Sequence, residues 1–265
     1  MSCFNCILVE SARGVKTITL NRPDKRNALS PMLIEELIVA LHEAESCDCG
    51  VVILTGAGSA FCAGLDMEQL ETVNARTPQE NRRDSENMAR VLRTLYDFPK
   101  PTIAAVNGPA IALGMGMATI PDFTLATPDA RFGYNEVRLG FVPAIAASFL
   151  LRQVGESRTR ELLLCGRILK AQEALQLGLV TQIVEPHDLM PTARALAQTL
   201  LLNSPQAMQA VKRLLSKHAQ RRLDEELEDG IEANAEQRST EDFMEGVLAF
   251  KQHRRADWPS LHAKV

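Results

Sequence analysis

The stretch LTGAGSAFCAGLD, residues 54–66, continues the apolar run VVI and places three glycines and three alanines within ten residues. An apolar run followed by a glycine turn predicts a buried strand leading into a loop that another group approaches closely. The stretch TIAAVNGPAIALG, residues 102–114, repeats this order of features. Such loops collect unpaired backbone N–H groups beside a helix start, where an anion or a developing oxyanion is favoured. The sequence therefore predicts two loops whose unpaired backbone N–H groups point to the same place.

Composition limits the classes of function that fit the chain. Of 265 residues, 46% are hydrophobic and 23% are charged, which is typical of a globular protein with one sizeable core. The formal net charge is −4 and Lys and Arg are scattered, so no surface for nucleic acid or an anionic membrane is indicated. Neither a signal-peptide pattern nor a membrane span is recognisable. We expect a small-molecule partner and a cytoplasmic location.

Periodicity predicts an α/β protein followed by helices. Strand-length runs (ILVES, VKTITLN, GVVILT, TIAAVN, FTLAT) alternate with helical stretches, which favours buried and mostly parallel strands. Ser30 before Pro31 predicts one helix start, and a second helix is expected near residues 77–97. After Pro143 the pattern is almost entirely helical, with start signals at Ser204 and at Ser239. We expect a core over residues 1–200 and a C-terminal helical region over residues 201–265 that serves subunit contacts.

Two alternative sites are disfavoured by their context. The run GAGSAF places Phe61 where a dinucleotide fingerprint needs its third glycine, and no Gly-Lys-Ser/Thr of a phosphate-binding loop occurs. The six cysteines include a C-x-x-C and a C-x-C but no second pair at zinc spacing, so reduced thiols and no metal site are predicted. Cys62 is interpreted as a packing residue rather than a nucleophile, because no His follows nearby.

Five segments together resemble the enoyl-CoA hydratase/isomerase, or crotonase, superfamily. The resemblance covers nearly the whole chain in the family's order, and its segments are LNRPDKRNAL (20–29), FCAGLD (61–66), KPTIAAVNGPAIALGMGMATIPDFTLAT (100–127), ARFGYNEVRLGFVP (130–143) and EALQLGLVTQIV (173–184). It implies a spiral of ββα units with a C-terminal helical trimerisation region. It also implies a homotrimer or a dimer of trimers.

The resemblance implies an acyl-CoA thioester as the substrate. The carbonyl oxygen of the thioester would accept hydrogen bonds from the backbone N–H groups of Leu65 and Leu113. Each such donor stabilises a developing enolate by about 3 kcal/mol. FGYNEVRLG places Glu136 at the position of the family's second catalytic glutamate. Gly116 stands where the first catalytic glutamate is usual, so one of two carboxylates is missing.

The resemblance also implies a set of CoA contacts and no metal or cofactor beyond the CoA of the substrate. Lys25 and Arg26 are expected at the phosphates. Phe250 is expected to reach CoA from the C-terminal helix, where His253 replaces a usual lysine and Lys251 or Arg254 could substitute for it. The remaining expected contacts with CoA or substrate are Ala28, Ala63, Gly64, Asp66 and Gly114.

One glutamate and two backbone donors leave several reactions open. Hydration of a 2-enoyl-CoA is favoured, because GMGMA and EVRLGFVPA resemble single-glutamate members such as methylglutaconyl-CoA hydratases. Glu136 as the sole base would also suffice for Δ3-Δ2 isomerisation. Decarboxylation, thioester hydrolysis and non-catalytic acyl-CoA binding are further alternatives. Glu68 and Glu71 are candidate substitutes for the missing carboxylate, whereas Asp66 is expected to cap the segment after it.

Overall fold

The structure, a computed structural model, describes residues 4–66 and 76–262. Its main sheet has six strands in the order β1-β2-β3-β4-β6-β9, of which only β1 and β2 pair antiparallel. These strands are β1 Ile7–Ala12, β2 Val15–Leu20, β3 Val51–Gly56, β4 Thr102–Val106, β6 Phe123–Ala126 and β9 Gln182–Ile183. A small second sheet contains β5 Ala110–Ile111, β7 Arg131–Gly133 and β8 Leu169–Lys170. The predicted α/β architecture with mostly parallel strands is confirmed.

Helices alternate with the strands and then dominate the C-terminal third. They are α1 Pro31–Ser46, α2 Pro78–Asp97, α3 Leu113–Thr119, α4 Ala144–Cys165, α5 Ala171–Gln176, α6 Leu189–Leu200, α7 Pro205–Gln237 and α8 Glu241–Lys251. The predicted start of α1 is confirmed, since the Ser30 hydroxyl accepts from the Leu33 N–H at 3.2 Å. Thr77 and Glu80 form a reciprocal capping box at the start of α2.

Side chains of β3 point alternately to the two faces of the sheet, and the core is divided between these faces. Val52 and Leu54 of β3 belong to the large core, together with buried residues of α1, α2 and α4. Val51 and Ile53 face the other way, into a smaller core that α6 covers. Both faces are therefore covered, as buried parallel strands require, and loops at the strand ends are free to form a site.

The C-terminal region is helical, as predicted, and differs from the sequence prediction at one helix start. The helix predicted from residue 205 continues to Gln237 as one element of 33 residues, and Leu223, Leu227 and Ile231 place its second half in the large core. The start signal assigned to Ser239 is wrong by one residue. Thr240 is the cap, because its hydroxyl accepts from the Phe243 N–H at 3.2 Å. The boundary at residue 200 stays a prediction. Within the described residues, no helix is both long and apolar enough to span a membrane.

Candidate active site

Two loops meet through direct backbone contacts at the carboxyl ends of β3 and β4. Cys62 of the first loop, residues 56–66, donates to the Pro109 carbonyl of the second loop, residues 107–112, at 3.1 Å. Its own carbonyl accepts from the Ile111 N–H at 2.9 Å. A Cβ at Gly114 would lie 2.4 Å from the Cys62 oxygen, and one at Gly64 would lie 2.9 Å from the Ala112 Cβ. The contact between the two loops therefore requires glycine at these two positions, whether or not a ligand also approaches the loops.

Two asparagines that the sequence analysis did not select hold the first loop in shape. Asn27 is fully buried in a left-handed conformation, with φ of 55°. Its Nδ2 donates to the carbonyls of Ala57 at 2.9 Å and Ala60 at 2.8 Å. Asn107 donates to the Gly58 carbonyl at 2.9 Å. The only sequence signal for this role was the presence of asparagine in segments that resemble turns, since asparagine tolerates left-handed backbone and bonds to nearby carbonyls.

The backbone N–H groups of Leu65 and Leu113 have no acceptor within the described part of the chain. Leu113 is the first residue of α3, so its N–H cannot bond within the helix. The peptide that carries this N–H follows Ala112, whose φ of 52° and ψ of −129° are unusual for a residue with a Cβ. Both leucines line one cavity, where their donors could bind the oxygen of a polarised carbonyl.

The cavity has a volume of about 750 Å³ and lies between the two loops, α2, α4 and the C-terminal helices. Its inner wall is mostly apolar and includes Met88 from α2 and Ile145 from α4. The predicted site residues that line it are Lys25, Arg26, Ala28, Ala63, Leu65, Asp66, Leu113, Glu136 and Phe250. Gly64, Gly114 and Gly116 are not part of this lining and make packing contacts instead.

Glu136 brings a carboxyl group into the cavity from the first position of a short 3-10 helix, Glu136–Leu139. Its Oε2 is buried, and no described residue forms a hydrogen bond with it. Burial raises the pKa of Glu136 to about 8, and its own backbone N–H opposes this increase. A carboxyl group with such a pKa exchanges protons readily near neutral pH, so Glu136 can act as a general acid and base.

The other buried carboxyl group in the lining, that of Asp66, already has a partner. Asp66 is buried and pairs with the Arg22 guanidinium at 2.9 Å, while Arg22 also donates to the Ala28 carbonyl at 2.5 Å. This ion pair thus holds the end of the first loop against the segment that follows β2. Whether Asp66 also caps the following segment lies outside the described residues, as do the candidate substitutes Glu68 and Glu71.

The thiol of Cys62 does not fit a nucleophilic role. The residue is fully buried between the two loops, and burial raises its pKa to about 12. A thiol with this pKa stays protonated near neutral pH and is a poor nucleophile. This supports the interpretation of Cys62 as a packing residue.

The mouth of the cavity carries the basic side chains expected to meet phosphate groups. Lys25 and Arg26 are exposed there, and Phe250 of α8 is half exposed at the same rim. Arg254 is engaged elsewhere, since its Nη2 donates to Glu245 at 2.8 Å. Of the residues considered for phosphate contacts, Lys25 and Arg26 are therefore better placed than Arg254.

Comparisons with known proteins agree with this geometry. The family model described as "Enoyl-CoA hydratase/isomerase" matches residues 10–261. A putative enoyl-CoA hydratase of Thermus thermophilus is 41% identical, with 93% of this chain and 98% of that protein covered. The short-chain-enoyl-CoA hydratase of Clostridium acetobutylicum is 35% identical, with 96% and 97% covered. The crystal structure of an enoyl-CoA hydratase/isomerase from Xanthobacter autotrophicus Py2 superposes with a TM-score of 0.88 at 29% identity, covering 94% of each chain.

Replacing Asn27 by glycine should lower the free energy of unfolding by about 2 kcal/mol, because three side-chain hydrogen bonds, one buried and two partly buried, are lost while the left-handed backbone stays allowed. Urea denaturation measures this change. The matched control is Asn203→Gly, at an exposed position just before α7. Equal stability of the two variants would contradict the role assigned to Asn27.

Replacing Ala112 by glycine should raise the free energy of unfolding by about 1 kcal/mol. Relief of the strained backbone is worth about 1–3 kcal/mol, and the added freedom of the unfolded chain offsets about 0.5–1 kcal/mol of it. Ala112→Val should shift the stability in the opposite direction, because a β-branched residue tolerates this backbone conformation less well. Thermal unfolding of both variants checks the signs, and a less stable glycine variant would contradict the assigned strain.

Proposed function

The chain belongs to the enoyl-CoA hydratase/isomerase family, and we propose that it is a lyase that adds water to a 2-enoyl-CoA thioester. One observation carries this proposal. A single cavity contains two backbone N–H groups without acceptors and a carboxyl group whose pKa is about 8. The names of the similar proteins support the same reaction.

In the proposed reaction, the thioester oxygen accepts hydrogen bonds from the N–H groups of Leu65 and Leu113. These bonds withdraw electrons from C3 and stabilise the enolate that forms when oxygen adds there, by about 3 kcal/mol per donor. The ionised Glu136 takes a proton from water as the C3–O bond forms. The resulting carboxylic acid then delivers a proton to C2, so one water is added and the carboxylate is regenerated.

The same cavity accounts for the other parts of the substrate. We propose that Lys25 and Arg26 meet CoA phosphates and that Phe250 contacts the CoA, because all three lie at the cavity mouth. Ala28, Ala63 and Asp66 line the path inward, and the apolar wall near Met88 and Ile145 would hold the acyl chain. Hydration uses only water and the thioester, so the proposal calls for no metal or redox cofactor.

Δ3-Δ2 isomerisation is the second candidate, favoured by the single carboxylate. Gly116 leaves Glu136 as the catalytic carboxyl candidate, and one base that reaches both C2 and C4 suffices to move a double bond. Both reactions would use the same two N–H donors. They differ in the product, since hydration increases its mass by one water and isomerisation does not.

We also propose that the protein assembles as a trimer or a dimer of trimers. The first half of α7 supports this, because Val211, Leu214 and Leu215 are more than half exposed there. Exposed apolar side chains on one segment are typical of protein contact surfaces. A cytoplasmic location stays a prediction.

Glu136→Gln should reduce turnover of crotonyl-CoA at least about a hundredfold, because the amide can neither take nor deliver the proton. Mass spectrometry of products from crotonyl-CoA, 3-hexenoyl-CoA and 3-methylglutaconyl-CoA identifies the reaction. A product heavier by one water indicates a hydratase, whereas an unchanged mass with a moved double bond indicates an isomerase. Glu185→Gln, at an exposed site, is the matched control. If the wild-type protein binds these thioesters without converting them, both the hydratase and the isomerase proposals are contradicted.

The pH dependence of kcat/KM should report the titration of Glu136. Its carboxylate form must accept the proton of water, so kcat/KM should rise with pH and level off above about 8. The folded pKa exceeds the usual 4.5, so folding favours the protonated group. Relative to Glu136→Gln, the wild-type protein should lose stability as the pH rises from 4.5 to about 8. A constant kcat/KM between about pH 6 and about pH 9 would contradict the assignment.

A further inference from the structure

Two cysteine side chains meet where α1 ends and the chain turns towards β3. Cys47 follows the last residue of α1, and the chain bends at Cys47 and Asp48 before β3 begins at Val51. The sulfur atoms of Cys47 and Cys49 lie 2.8 Å apart. Carbon atoms in contact are about 3.5–4.0 Å apart and sulfur is larger than carbon, so the two sulfur atoms are closer than packing alone brings them. A disulfide bond, with sulfur atoms about 2.05 Å apart, needs only a small further approach.

The end of α1 and the turn after it hold the two thiols side by side. The Cys49 N–H donates to the Cys47 Sγ at 3.3 Å. Both thiols are also placed to donate to the Ala44 carbonyl of α1, each with its sulfur 3.4 Å from that oxygen. The same carbonyl accepts from the Lys100 Nζ at 2.7 Å. The contact between the sulfur atoms is therefore supported by backbone groups on both sides of the turn.

Two buried lysines place positive charge beside the pair. Lys100 donates to the carbonyls of Ala44 and Cys47, each at 2.7 Å, and Lys16 of β2 is buried as well. Burial raises the pKa of the Cys47 thiol, but hydrogen bonds from Cys49 and the two lysine charges outweigh it and leave this pKa below its usual 9.0. Burial and the contact with Cys47 raise the pKa of Cys49 to about 11. Cys47 is thus the nucleophilic thiol, and Cys49 keeps its proton.

These surroundings favour oxidation over metal binding by the thiol pair. Positive charge repels a metal cation but stabilises a thiolate, which is the form that reacts with oxidants. Cys47 is partly exposed, so a small oxidant can reach it, whereas Cys49 is buried. A reactive thiol next to a second, resolving thiol is typical of cysteines that oxidise reversibly. Neither cysteine lines the active-site cavity, so this inference is independent of the proposed function.

We propose that Cys47 and Cys49 are a site of reversible oxidation, at which hydrogen peroxide converts the two thiols into a disulfide bond. The Cys47 thiolate attacks one peroxide oxygen, so an S–O bond forms, the O–O bond breaks and hydroxide leaves to be protonated to water. The Cys49 sulfur then attacks the Cys47 sulfur, and an S–S bond replaces the S–O bond as the hydroxyl group leaves with the Cys49 proton. Two thiols and one hydrogen peroxide thus give one disulfide and two waters. Exchange with a dithiol restores both thiols.

Cysteine mapping of the wild-type protein tests this proposal. The reduced protein is exposed to hydrogen peroxide, free thiols are blocked, and thiols released by dithiothreitol are labelled and located by tandem mass spectrometry. Cys47 and Cys49 should be released together, with an intact mass lower by two hydrogen atoms before reduction. Their oxidation should be at least about tenfold faster than that of Cys165, an exposed thiol at the end of α4 that serves as the internal control. The proposal is overturned if oxygen atoms accumulate on Cys47 while Cys49 stays free, or if both thiols survive until Cys165 has reacted.

Two single variants test the role of each thiol. Cys49→Ser should stop at the sulfenic acid of Cys47, which dimedone traps as a covalent adduct. Cys47→Ser leaves the thiol whose pKa is raised, so dimedone labelling of Cys49 should be at least about tenfold lower. Cys165→Ser is the matched control and should leave the pairing unchanged. Equal dimedone labelling of the first two variants would overturn the proposed order of steps, and the mapping of the wild-type chain stays decisive if a variant does not fold.

Discussion

The contact between the two loop backbones is the constraint on which the rest of the site depends. Cys62 exchanges hydrogen bonds with Pro109 and Ile111, and no side chain could stand between Gly114 and the Cys62 carbonyl, because a Cβ there would lie 2.4 Å from the oxygen. This contact joins the ends of two neighbouring parallel strands. It brings the N–H groups that follow each turn, those of Leu65 and Leu113, to one cavity wall. The two donors are therefore preorganised by packing rather than by the substrate.

Two of the carboxyl groups that line the cavity, those of Asp66 and Glu136, have opposite surroundings. Asp66 lies beside a guanidinium and is used for structure, whereas the buried oxygen of Glu136 has no cationic partner in the described structure. Burial without a counter-charge disfavours ionisation, which is why the pKa of Glu136 rises to about 8. Met88 and Ile145 belong to the apolar part of the same cavity lining.

Much of the fold could be predicted because it depends on local signals. Caps at Ser30 and Thr77, and the apolar runs of the strands, act within a few residues of the chain. The hydrogen bonds of Asn27 could not be predicted from local signals, because the carbonyl groups that accept them, at Ala57 and Ala60, lie thirty or more residues away in the chain. The end of α7 was not predicted from the sequence, because the second half of this helix depends on tertiary packing that buries Leu223 and Leu227 in the large core.

The absence of a carboxylate at position 116 has consequences for the whole active centre. Leu92 approaches the space that a side chain would enter, and the buried Tyr134 hydroxyl lies beside it, so the surroundings are fitted to glycine. In the hydration proposed above, a lone carboxyl group takes a proton from water and returns one to C2 within the same turnover. Such a group works best when both of its protonation states are populated near the working pH. A pKa of about 8 meets this condition and makes the carboxylate a stronger base towards water than the usual value of 4.5 would. In the proposed reaction, the burial that disfavours a charge at Glu136 is thus what suits a single residue to both steps.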